Sequence, residues 1–177
     1  MKKILLYMFL SLGNITLMAQ TVKDNYSNND ISYEQAVEAL EQRKCIVRFN
    51  TMDYRGQRRK QLDNETNFLI LEGDSVSYQY DDGRREYLHA GGNGTFYVFP
   101  KVEKGKASNI EISKDKNNNM ILSMKVRGES SYSSFKIKIV LENGTHKCIA
   151  TKKDYWGNFY YTGTLYPIGA TTVMKAN

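Results

Sequence analysis

The amino-acid sequence predicts a mainly β fold: an antiparallel meander that closes into an up-and-down barrel and carries one N-terminal helix. Three observations point there. Only the stretch from Ser32 to Arg43 carries apolar residues at helical spacing. Everything after Lys44 breaks into short runs of alternating apolar and polar residues, the pattern of strands with one buried and one wet face. Short clusters of turn residues join those runs, whereas parallel strands would need long crossovers. Closing such a meander on itself removes its exposed edges. The alternative arrangement is a two-sheet β-sandwich with the helix on one side.

Taken in order, residues 1–19 have the layout of a cleaved secretory signal peptide: Lys2-Lys3, an apolar run from Ile4 to Leu12, and the small residue Ala19. The run is short for a bilayer span and is interrupted at Gly13-Asn14, so a soluble periplasmic or secreted protein is expected, not an integral membrane protein. No cysteine lies near the junction to accept a lipid. Residues 20–31 are a polar, flexible lead into a single domain over 32–167, with a tail over 168–177. In the helix, Ser32 and Gln35 have capping-box spacing, and Tyr33, Ala36, Val37 and Leu40 share one face. Arg43 and Lys44 suit the negative end of its dipole.

Strands are expected over Cys45 to Met52, Asn67 to Leu71, Ser75 to Tyr80, Thr95 to Phe99, Ser108 to Ser113, Met120 to Arg127, Tyr132 to Leu141, Thr145 to Thr151 and Phe159 to Tyr166. Glu72-Gly73-Asp74, Asn117-Asn118-Asn119, Gly128 to Ser131, Asn143-Gly144 and Trp156-Gly157-Asn158 supply turns. Met120, Leu122 and Met124 should face the interior, as should Phe135, Ile137 and Ile139.

The 177 residues suffice for one domain with a real core, and a composition 41% hydrophobic and 25% charged excludes a disordered chain. The net charge of +6 is mildly basic and dispersed over Arg55 to Lys60, Arg84-Arg85, and Lys101, Lys104 and Lys106. Such lysines and arginines serve mostly as solvated faces or edge protection, and no nucleic-acid partner is expected. Two histidines and two distant cysteines argue against a protein-ligated zinc centre, and no cofactor is implied. Cys45 and Cys148 either close a long disulfide loop or sit as small apolar fillers on a buried face.

Four segments come in a familiar order: Tyr54 to Leu62 (YRGQRRKQL), Leu71 to Tyr80 (LEGDSVSYQY), Asp82 to Tyr87 (DGRREY) and Gly91 to Phe99 (GGNGTFYVF). Together with the leader, the chain resembles the domain-of-unknown-function 4251 family of exported proteins in Bacteroidetes-type bacteria, over roughly Ser32 to Pro167. The resemblance implies a lipocalin-like β-fold. It brings no activity.

No catalytic constellation emerges from the residues themselves, and a non-enzymatic protein is expected. His146 alternates with Cys148 and Ala150, but no oxyanion-hole motif accompanies it. Asp81-Asp82 precedes Gly83 and reads as a hairpin turn. Gly91-Gly92-Asn93-Gly94 leads into a strand, whereas a phosphate-cradling loop opens a helix. Asp74-Ser75-Val76 resembles the Asp-Ser/Thr-apolar signal for O-glycosylation. The aromatic set Tyr155, Trp156, Phe159 and Tyr161 is the candidate contact for a small amphiphile or a glycan fragment, because such rings offer a broad apolar face with a polar handle. Leu122, between Met120 and Met124, would line the interior behind it. The alternative is a structural or protein-interaction module of the cell envelope with a filled core, meeting a protein partner through Arg55 to Lys60 and the helix.

Overall fold

The computed structural model describes residues 31–54, 59–81, 86–88, 95–97, 101–128, 134–173 and 175. The leader, the lead up to residue 30, residues 55–58 of the basic stretch, Asp82, Arg84-Arg85, His89 and the glycine cluster lie outside the described residues.

The capping box forms as the spacing predicts. Gln35 N–H donates to Ser32 Oγ (3.3 Å), Ser32 N–H donates to Gln35 Oε1 (3.0 Å), and helix α1 (Tyr33–Glu41) follows. Its buried side is Ala36, Ala39 and Leu40, with Tyr33 and Val37 packed at the edge. The end differs from expectation. Gln42 caps the helix and Arg43 turns the chain in the left-handed region (φ 56°), so neither Arg43 nor Lys44 closes the last helical turn. That position usually belongs to glycine.

Among the described residues, eleven strands follow: β1 (Lys44–Tyr54), β2 (Lys60–Gln61), β3 (Phe68–Glu72), β4 (Ser75–Tyr80), β5 (Glu86–Leu88), β6 (Thr95–Tyr97), β7 (Lys101–Lys114), β8 (Met120–Gly128), β9 (Phe135–Leu141), β10 (Lys147–Asp154) and β11 (Gly157–Pro167). Eight of them, β1, β3, β4 and β7 to β11, pair antiparallel in chain order. The ring closes where β1 meets β11, from Cys45 opposite Pro167 to Tyr54 opposite Phe159. This is the closed barrel and not the sandwich. β2 is a short addition to β1, and β5 and β6 pair with each other.

Alternation sends Val47, Phe49, Leu69, Leu71, Leu122, Ile139, Leu141 and Leu165 into a continuous core, all nearly or fully buried. Each such side chain contributes roughly 1.5–3 kcal/mol on leaving water. Helix α1 packs on β1 and β11 and closes one end, where Tyr33 Oη donates to the Asn118 carbonyl (3.4 Å). Outside the wall, Ile31, Tyr166 and Ala170 form a second cluster, and the Arg48 guanidinium donates to Asn64 and to Thr171 Oγ1 (2.9 Å). The chain therefore stays packed on the barrel beyond Pro167. Cys45 and Cys148 are free thiols in the core, so the structure gives the filler arrangement.

Candidate functional site

The end of the barrel away from α1 carries the polar chemistry, and two strands deliver it. On β10 the inward positions Cys148 and Ala150 continue to Lys152 and Asp154, so alternation drives a lysine and a carboxylate inside. On β7 the inward position Glu103 meets them. The Lys152 ammonium lies 2.6 Å from Asp154 Oδ2 and 3.3 Å from Glu103 Oε2, with each side chain at most 4% exposed. Three rings box the same ammonium: Tyr78 and Phe135 at 4.8 Å and Phe159 at 5.4 Å to their centroids. Below, Tyr78 and Tyr161 join hydroxyls at 2.8 Å, and burial pushes both phenols above their ordinary range.

The cluster reaches the surface through one carboxylate. Asp154 Oδ1 accepts the backbone N–H of Trp156 (2.8 Å) and of Gly157 (3.2 Å), which fixes the β10–β11 turn from beneath. Tyr54 holds it from the side. Its hydroxyl donates to the Trp156 carbonyl (2.8 Å), and its ring stacks on Phe159 at 4.5 Å and 13°. The turn presents Tyr155 and Trp156, 74% and 54% exposed, as an edge-to-face pair with centroids 5.3 Å apart.

The sequence-derived site residues therefore separate. Tyr155 and Trp156 stand in solvent on the turn. Phe159 is half-buried over Lys152, while Tyr161 and Leu122 belong to the packed interior together with Met120 and Met124. Phe49 covers Tyr161 at 4.5 Å. His146 and Cys148 do not meet as a pair: the His146 ring lies against Tyr166, with Nδ1 3.1 Å from the Ile31 carbonyl, and Cys148 points into the core. Ser75 is exposed at the start of β4, beside an Asp74–Lys106 ion pair of 2.9 Å. Among the described residues, no three His, Cys, Asp or Glu gather as a metal site, and no helix is long and apolar enough to cross a membrane.

Sequence reasoning missed Glu103, Lys152 and Asp154. The signal for two of them was present, since Cys148, Ala150, Lys152 and Asp154 keep one period-two register. Polarity hid it.

The family model described as "Domain of unknown function (DUF4251)" matches residues 27–165. No curated protein matches the chain. Among solved structures, it is similar to the crystal structure of a DUF4251 family protein from Bacteroides eggerthii, with a TM-score of 0.61 and 22% identity over 78% of this chain and 89% of that one. That likeness speaks to the fold alone. With the model spanning most of the barrel and the helix that closes it, the chain belongs to the DUF4251 family.

Proposed function

We propose that this is an exported, non-enzymatic binding protein that takes a glycan fragment on its β10–β11 turn. The observation that carries the reading is the pair Tyr155 and Trp156, exposed on a turn pinned by Asp154 and Tyr54. A turn held in one conformation presents its rings without an ordering cost on binding. The inward positions of the described strands are occupied by the protein's own side chains, which favours a ligand on the rim over an amphiphile seated inside. Sugars suit such a surface, because their C–H faces stack on aromatic rings while their hydroxyls stay in water. The layout of residues 1–19 supports export.

Trp156 is the only tryptophan of the chain, so its fluorescence reports on the turn directly. A screen of oligosaccharides should find a class that shifts this emission saturably. Tyr155→Ala should weaken binding by about tenfold, and Trp156→Ala, followed by calorimetry, should abolish it. Glycan binding that survives in the combined variant Tyr155→Ala/Trp156→Ala would overturn the reading. A small amphiphile in native mass spectra of the purified protein, lost on denaturation, would return the ligand to the interior.

A second reading, an envelope protein-interaction module, draws support from the filled core. Capture of a defined envelope protein, lost on charge reversal at Arg59 and Lys60, would establish it.

A further inference from the structure

The outer wall over β8, β9 and β10 carries four exposed lysines whose arrangement is set by strand register. Lys125 on β8 lies directly across from Lys136 on β9, and Lys136 lies across from Lys153 on β10. Lys138 projects from the same face of β9 one pleat further on. The four line a shallow groove of about 470 Å³, in which Glu111 is the single carboxylate. None of the four makes an ion pair among the described residues.

Like charges placed directly opposite one another across strands destabilise a sheet. A wet face needs only polar residues, and alternating signs would serve it better. Lysines also protect sheet edges, but β8, β9 and β10 are each paired on both sides within a closed barrel, so no edge exists there to protect. Three ammonium groups in one line across three strands therefore call for a negatively charged partner.

The surroundings favour a particular one. The lysine row continues to Asn158 on β11, and the next row runs Glu111, Ser123, Lys138, Thr151, Tyr160, Asp53, with Tyr160 47% exposed. Neighbouring strands lie about 4.8 Å apart, so the three lysines leave the wall at backbone positions repeating at that interval, with hydroxyls, an amide and an aromatic face beside them. Asn158 also borders the turn that presents Tyr155 and Trp156.

We infer that the outer face of β8 to β10 binds an acidic polysaccharide, a chain bearing carboxylate or sulfate groups. The chain lies across the strands with its charges on Lys125, Lys136 and Lys153 and its end at the aromatic turn. This rests on the glycan reading of that turn and names the class of glycan.

The test measures binding of the purified protein to polygalacturonate, to neutral dextran, and to vesicles of phosphatidylglycerol or phosphatidylcholine, across a salt series. Polygalacturonate should bind, weaken as salt rises, and lose about tenfold or more in affinity in Lys136→Glu/Lys138→Glu and in the milder Lys136→Gln/Lys138→Gln. The same reversal at Lys114, the last residue of β7, and Lys116, in the turn between β7 and β8, should change affinity less than about twofold. Circular dichroism and melting temperature verify that each variant is folded. Equal binding of neutral and acidic chains, lost in Trp156→Ala but untouched in the lysine variants, would overturn this inference and leave the glycan reading standing. No binding of any glycan would overturn both. Lysine-dependent binding to phosphatidylglycerol vesicles without polygalacturonate binding would make the face a membrane contact and overturn the inference.

Discussion

At the scale of single residues, burial decides chemistry. Cys45 lies in the core, and loss of hydration pushes its thiol from 9.0 to about 12; Cys148 rises further for the same reason, with Cys45 beside it. A thiolate is the reactive form, so neither cysteine should react with a maleimide at neutral pH until the barrel unfolds. The same shift sets a direction for stability. Unfolded thiols lose their protons above about pH 9 while the folded ones keep theirs, so the contribution is complete below that pH and is lost as pH climbs toward about 12. Urea midpoints measured from about pH 8 to pH 11 should fall, with each thiol contributing at most about 1.4 kcal/mol per pH unit. Tyr78 and Tyr161, also raised by burial, add to the upper part of that decline. Cys45→Ala/Cys148→Ala should flatten the first part. An unchanged slope in the double variant would assign the whole decline to other groups.

At the scale of elements, the strand β10 shows both what the sequence discloses and what it conceals. Apolar alternation marks Met120 to Arg127 and the inward Phe135, Ile137 and Ile139 without ambiguity, and the capping box marks the start of α1. The expected end of β10 at Thr151 fails because its inward positions turn polar just where the strand enters the ion cluster. β7 fails similarly. It begins at Lys101, not Ser108, because its inward residue there is Glu103, and a bulge with Asn109 in the left-handed region (φ 52°) shifts the alternation midway. A carboxylate inside a barrel is intelligible only beside its cation, which comes from a different strand. Lys152→Met should therefore destabilise the protein by about 3–5 kcal/mol, since it leaves two buried carboxylates facing each other. Combining it with Glu103→Gln and Asp154→Asn should recover most of that loss, while Asp154→Ala should release the turn that Asn still holds. Chemical denaturation measures the first two, and Trp156 fluorescence anisotropy the third. A Lys152→Met variant as stable as its parent would show that the ammonium is not enclosed.

At the scale of the whole molecule, the meander is local and its closure is not. The hairpins with short turns between neighbouring runs were legible, but Thr95 to Phe99, expected within the meander, supplies β6, which pairs with β5 apart from the barrel, and β4 pairs directly with β7. The seam between β1 and β11 joins the two ends of the domain, and no local pattern specifies its register. Two irregularities make it possible. β1 bulges between Phe49 and Thr51, and β11 places Gly163 opposite Phe49 at that point. A Cβ on Gly163 would collide with the backbone carbonyl of Arg48, so the strands approach more closely there than any side chain permits. In the sequence, Gly163 reads only as a weak spot in a strand. Gly163→Ala should therefore cost about 2 kcal/mol or more, because the obstacle is backbone and cannot rotate away. Thr162→Ala, next to it on the outer face, should cost less, losing a hydroxyl contact of 2.7 Å to Thr51. Amide exchange should locate the damage, with protection falling first along β1 and β11 and persisting in β8 and β9. A Gly163→Ala protein as stable as its parent would mean that β1 and β11 do not meet at this distance beside the bulge.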